Sequence, residues 1–116
     1  GNNDAVTFRI TSKIAKYPHV RLRGEFFEDD FAGRRVAVNH FDNIALAIAA
    51  SGVYDAVFYG HNHVPDIRAG LGGKTLAVNP GSIMGCTFDP QAVRTDVGSS
   101  YATYNAVTNT AQVHLL

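Results

Sequence analysis

Tyr54-Asp55-Ala56-Val57-Phe58-Tyr59-Gly60-His61-Asn62-His63-Val64-Pro65 is the stretch on which the fold turns. Its first half is a short apolar run with aromatic and β-branched residues, the length of a buried strand. Gly60 stops that run. A turn-rich segment follows, with two histidines at i and i+2 and a closing proline. In α/β sheets, sites gather beyond the carboxyl ends of strands. Two imidazoles in such a turn can point at neighbouring positions, and neutral imidazole suits zinc, manganese, iron and nickel.

Working outward, Arg35-Val36-Ala37-Val38 reads as a second buried strand that runs into Asn39-His40. His40 thereby becomes a third candidate at a strand end. Between the two strands, Asp42 is expected to cap a helix over residues 43–51, apolar on most faces, with Gly52 as its C′ glycine. Upstream, residues 20–40 read as strands with a turn at Phe31-Ala32-Gly33-Arg34. A first helix is expected from Asp4 to Lys16, with Asp4 as cap, Val6, Ile10 and Ile14 as its apolar stripe, and Tyr17-Pro18 as its stop. Downstream, Asp66 to Ala69 and Thr75 to Val78 pair across the glycine-rich Gly70 to Lys74. Asn79-Pro80-Gly81-Ser82 is a turn signature. Residues 85–98 read as irregular, and Tyr101 to Val107 with Thr110 to Leu115 as a final hairpin about Thr108-Asn109.

The composition bounds the reading. A chain of 116 residues with 46% hydrophobic content fits one domain and makes wholesale disorder unexpected. Ten Lys+Arg against ten Asp+Glu give a net charge of +0, without the footprint of a nucleic-acid or anionic-membrane binder. The longest apolar stretch, Ile44 to Ala50, is too short to span a bilayer. The single cysteine, Cys86, excludes an intrachain disulfide and points to a reducing, cytoplasmic setting. Cys86 and Ser82 lack the context of a nucleophile: Ser82 has no strand–elbow–helix frame, and Cys86 has no evident activating base. No catalytic side chain is therefore assigned. His19, in a connection, and His114, on the polar phase of the last strand, are expected to be solvated.

Taken in order, the clusters resemble the calcineurin-like metallophosphoesterases, in particular their YfcE/Vps29-like branch. Gly1-Asn2-Asn3-Asp4 resembles the family's Gly-Asn-x-Asp motif, and Val38-Asn39-His40 the strand that ends in its lone metal histidine. Gly60-His61-Asn62-His63 is similar to the Gly-His-x-His motif, and Asn79-Pro80-Gly81-Ser82 to the downstream Asn-Pro-Gly-Ser turn. The resemblance implies an α/β fold, a two-sheet sandwich flanked by helices, and a dimetal site that activates a water to hydrolyse small phosphate esters. By resemblance, Asn2, His40 and His61 are ligands of one ion and His63 of the other. Manganese is the first expectation for both ions, with zinc, nickel and iron(II) as alternatives.

The chain also departs from the pattern. Phe41 replaces the usual glycine after the lone histidine and would crowd the rim. Asn3 stands where some relatives carry a proton-donating histidine, which favours leaving groups of low pKa. The family's strand–Asp-x-His and strand–Gly-Asp motifs have no counterpart. The resemblance therefore implies a partial domain over residues 1–116, lacking its N-terminal strands, inactive alone, holding at most one metal weakly and prone to form homo-oligomers. The competing reading is a Vps29-like interaction scaffold with a vestigial metal site.

Overall fold

The computed structural model describes residues 7–116, so Asn2, Asn3 and the expected cap Asp4 lie outside the described residues. The elements run α1 (Thr7–Ile14), β1 (Phe26–Phe31), β2 (Arg34–Asn39), α2 (Asp42–Ala50), β3 (Ala56–Phe58), β4 (Asp66–Leu71), β5 (Thr75–Asn79), β6 (Cys86–Phe88), β7 (Arg94–Asp96), β8 (Ser100–Asn105) and β9 (Thr110–Leu115). Five strands form one mixed sheet in the order β1-β2-β3-β5-β4. The inner strands β2, β3 and β5 are parallel, and the hairpin partners β1 and β4 close the edges antiparallel. β6–β7 and β8–β9 are separate two-stranded sheets.

The period of two along the inner strands sorts side chains by size. Ala37, Val57 and Ala77 face one side, where Ala45 and Ala49 of α2 pack on them together with Tyr54 and Tyr59. Small residues on both surfaces let the helix lie close to the sheet. Val36, Ala56, Leu76 and Val78 face the other side with Phe58, under Ala102, Tyr104 and Ala111 of the β8–β9 hairpin. Each buried Val or Leu contributes about 1.5–3 kcal/mol. A one-residue slip of any inner strand would exchange the two sets, so register is strongly specified. The result is a helix, a five-stranded sheet and a β-hairpin layer, which is the expected α/β architecture with a second, smaller sheet.

Several expectations need correction. Residues 20–24 form no strand despite the alternation Arg21-Leu22-Arg23. No described strand lies beside them to pair with, and Val20 and Leu22 stay exposed. Asp42 does not cap α2: Phe41 is its N-cap residue, with no side-chain cap bond, and Asp42 sits in the first turn. Residues 85–98 are not irregular throughout, because Cys86, Thr87 and Phe88 pair with Asp96, Thr95 and Arg94. The last turn spans residues 106–109. Leu115 is exposed while His114 is half-buried, so the last strand is less cleanly two-faced than expected. Among the described residues no helix is long and apolar enough to cross a membrane.

Candidate functional site

The parallel strands β2, β3 and β5 deliver three turns to one edge of the sheet. β2 ends at Asn39 and β5 at Asn79, both buried. Each asparagine folds its carboxamide forward onto the backbone two residues on: Asn39 Oδ1 accepts from Phe41 N–H at 2.9 Å, and Asn79 Oδ1 from Gly81 N–H at 2.9 Å. These are the same side-chain turn used twice, and each redirects the chain as it leaves the sheet. The repeated tripeptide Ala37-Val38-Asn39 and Ala77-Val78-Asn79 is the sequence signal for this pair.

Between them, Gly60 to Val64 carries the histidine turn. Gly60 N–H donates to His40 O at 3.1 Å, which ties the two histidine-bearing segments by their backbones. His61 and His63 both take left-handed backbone conformations, with φ of 70° and 61°. For non-glycine residues such conformations cost on the order of 1–3 kcal/mol each and persist only where the surroundings enforce them. Amide hydrogen bonds flank both residues. Asn62 N–H donates to Gly60 O at 2.9 Å, and Val64 N–H to Asn62 Oδ1 at 3.0 Å. Asn79 Nδ2 donates to Gly60 O at 3.2 Å and to Asn62 Oδ1 at 2.8 Å. Asn62 Nδ2 in turn donates to the Asp42 carboxylate at 3.3 Å.

The imidazoles of His40 and His61 lie edge to face with ring centroids 5.3 Å apart. His63 Nδ1 is 2.7 Å from the carbonyl oxygen of Cys86. A carbonyl only accepts, so Nδ1 carries the proton and the neutral ring has its lone pair on Nε2, the arrangement typical of metal-binding histidines held by a backbone carbonyl. Phe41 stacks edgewise on both His40 (5.2 Å) and His61 (5.0 Å), so it does crowd the rim as its sequence position suggests. The three rings open on a groove of about 1150 Å³ whose walls include Arg21, Arg23, Phe58 and Tyr104. His19 also reaches this groove. His114 does not. It stacks on Tyr101 at 4.9 Å and meets Thr103 Oγ1 at 2.8 Å on the outer hairpin.

Two of the carboxylates near the sheet, Asp55 and Asp66, are engaged with other partners. Asp55 sits at the amino end of β3, far from the histidines, where it takes Arg35 N–H at 2.9 Å and an ion pair with Arg34 at 3.7 Å. Asp66 accepts from Tyr59 Oη at 2.9 Å and from Arg68 Nε at 2.7 Å. Burial, aided by the Asp66 hydrogen bond and charge, pushes the Tyr59 phenol up to about 12. Ser82 and Cys86 are buried, and Ser82 bridges to Ser99, so neither is offered to a substrate.

For a divalent metal, the donor set is right in kind and short in number. Imidazole nitrogens suit first-row ions, and the His63 tautomer is the one that ligation through Nε2 needs. Yet among the described residues no three His, Cys, Asp or Glu side chains converge on one point. The described residues thus fit part of a metal site.

Comparisons with known proteins bear on the fold. A search of curated protein sequences gives no match. The chain superposes on an archaeal phosphodiesterase with a TM-score of 0.76 at 19% identity, covering 100% of this chain and 66% of that one. It superposes on Chaetomium thermophilum Vps29 with a TM-score of 0.53 at 17% identity, covering 79% of this chain and 59% of that one. Entamoeba histolytica Vps29 complexed with zinc gives 0.52 at 21% identity, covering 83% and 63%. The chain thus spans less than two thirds of the length of each. At these identities the likeness is one of fold. The profile of the calcineurin-like phosphoesterase superfamily domain matches residues 1–105, nine-tenths of the sequence, and the chain belongs to that superfamily.

Proposed function

We propose that the protein to which this chain belongs is a metal-dependent phosphodiesterase acting on small phosphate esters in the cytoplasm. The observation that carries the reading is the pairing of His40 and His61, 5.3 Å apart, on turns at the carboxyl ends of adjacent parallel strands. In this reading His40 and His61, with Asn2, hold one ion and His63 holds a second, manganese being the first choice. Bound there, two divalent ions would supply a water of lowered pKa and positive charge for the phosphoryl oxygens. The chain's own contribution is orientation. Cys86 O fixes the His63 ring, and Phe41 walls one side of the approach. In this reading residues 1–116 alone are inactive and bind at most one metal weakly, in keeping with the partial donor set among the described residues. The zinc complex of Entamoeba Vps29 shows a protein of this fold holding a metal.

A scaffold reading has one observation in its favour. The Phe41 ring lies within 5.2 Å of both imidazoles and occupies space where a substrate would approach. Assay of the full-length gene product separates the two. With added manganese, the enzyme hydrolyses bis(p-nitrophenyl) phosphate, and His61→Ala or His63→Ala lowers the rate by about 100-fold or more. Wild-type rates in both variants would remove the dimetal assignment. Absence of bound metal in the full-length protein would favour the scaffold.

A further inference from the structure

The histidine turn is held by one buried side chain that the proposed chemistry does not use. Asn79 is fully buried, and each polar atom of its carboxamide is engaged. Oδ1 accepts from Gly81 N–H at 2.9 Å. Nδ2 donates to Gly60 O at 3.2 Å and to Asn62 Oδ1 at 2.8 Å. Those last two acceptors bracket His61. Asn62 Oδ1 then accepts from Val64 N–H at 3.0 Å, which brackets His63. One carboxamide therefore reaches both residues that sit at positive φ, directly and through a second carboxamide. The turn is also tied by Gly60 N–H to His40 O at 3.1 Å and by His63 Nδ1, 2.7 Å from Cys86 O, but among the described residues Asn79 is the buried side chain whose amide bonds on both sides of His61. His61 itself is exposed and Pro65 stiffens only the far end.

The strain sharpens the point. Two left-handed histidines in one turn are strained, and an isolated Gly-His-Asn-His segment would relax to ordinary φ values. The restraint must come from groups that cannot move, and a side chain at the end of the central parallel strands is such a group.

We infer that Asn79 is the positioning residue of the histidine turn: through Gly60 O and the Asn62 carboxamide it imposes the left-handed backbone at His61 and His63 and thereby brings the His61 ring against His40. The inference deepens the phosphodiesterase reading, because it concerns the same site, but it is a statement about the metal-free chain and can be tested there.

Asn79→Asp is the discriminating variant. It keeps an oxygen acceptor for Gly81 N–H and replaces both N–H donors to the turn by an oxygen, and spectra are recorded up to alkaline pH so that the carboxyl is ionised and donates nothing in their place. Asn62→Ala is the second variant. Asn62 is exposed, so its loss removes no apolar packing; it cuts the relay to Val64 and takes one acceptor from Asn79 Nδ2. Nuclear magnetic resonance of the metal-free protein gives three-bond HN–Hα couplings and Cβ shifts that report φ at His61 and His63, and nuclear Overhauser contacts that report the His40–His61 ring pair. In wild type, both histidines show positive φ and the two rings show a mutual contact. In both variants, the positive-φ signature is lost at His61 or His63 and the ring contact disappears, while His114 and the far-ultraviolet circular dichroism are unchanged. A folded Asn79→Asp protein with wild-type couplings and ring contact would overturn the proposal. If that variant does not fold, Asn62→Ala decides alone by the same readouts. Loss of the signature in a protein whose full-length wild type shows no manganese-dependent hydrolysis would leave the positioning role standing and sink the phosphodiesterase reading.

Discussion

Gly81→Ala tests how tightly the turn after β5 is wedged against the site. Gly81 has φ of +83°. An alanine there incurs about 1–2 kcal/mol for the left-handed conformation alone. The larger part comes from space. A Cβ at Gly81 would fall 3.2 Å from Pro65 Cδ and 3.3 Å from Pro65 Cβ, and would collide with Ser100 Oγ. Ser100 is 2% exposed and its hydroxyl donates to Pro80 O at 2.8 Å. Displacing that hydroxyl leaves a buried polar group unpaired, at about 1–3 kcal/mol. The sum is about 2–5 kcal/mol, a large fraction of the 5–15 kcal/mol typical of a domain. Gly98→Ala is the control. Gly98 has φ of +79° with nothing within 4 Å of the added Cβ, so only the conformational cost of about 1–2 kcal/mol remains. Urea unfolding followed by circular dichroism gives both values. Adding Ser100→Ala to Gly81→Ala removes the colliding atom, so the double variant is less destabilised than the sum of the singles by about 1–2 kcal/mol. Equal losses in Gly81→Ala and Gly98→Ala, or an additive double variant, would refute the wedge and leave backbone strain as the whole effect.

Three further outcomes follow from the same geometry. The Tyr59 phenol is raised from 10.0 to about 12, chiefly by burial and then by Asp66, so the folded state holds this proton more tightly than the unfolded chain. Its contribution to stability is complete below about pH 10 and is lost as pH rises toward 12; Tyr59→Phe, followed by urea midpoints across that window, removes this part of the alkaline slope, and an unchanged slope would mean that the phenol is not linked to folding. His19→Gln and His114→Gln in the full-length gene product leave metal content and turnover within a factor of about two, as surface substitutions of about 0.5 kcal/mol do, and a large loss in either would mean that the wrong histidines were chosen. The β8–β9 hairpin pairs with no third described strand, and the groove beside it exposes apolar side chains, Phe27, Phe58 and Tyr104 among them, between polar ones; light scattering on residues 1–116 should therefore show self-association, whereas a stable monomer would show that the hairpin edge is protected.

How much of this was legible in the sequence depends on the range of the interaction. The inner strands were readable because both of their faces are buried. Val36-Ala37-Val38, Ala56-Val57-Phe58 and Leu76-Ala77-Val78 need no knowledge of their neighbours to look like strands. The α2 boundary was displaced because capping is decided by competition. Asn39 takes the Phe41 N–H, the chain enters the helix one residue early, and the Asp42 carboxylate accepts from Asn62 instead. β6 and β7 carry little sequence signal because Arg94-Thr95-Asp96 is polar and wholly exposed, so no burial pattern marks it. Residues 20–24 fail in the opposite direction: alternation is present, but a strand exists only if something pairs with it.

The site divides along the same line. Histidines announce themselves by chemistry, and His40, His61 and His63 were readable as candidates from type and position alone. What makes His61 meet His40 is carried by Asn62 and Asn79, whose amides are individually unremarkable in a turn. Their roles depend on distances across 17 residues of chain and on a backbone conformation that no composition signals. The one local trace was the doubled Ala-Val-Asn, and it gains meaning only once β2 and β5 are seen to flank β3 in the same sheet. An imidazole pair names a chemistry; the buried amide at the end of the neighbouring strand sets the geometry in which that chemistry can act.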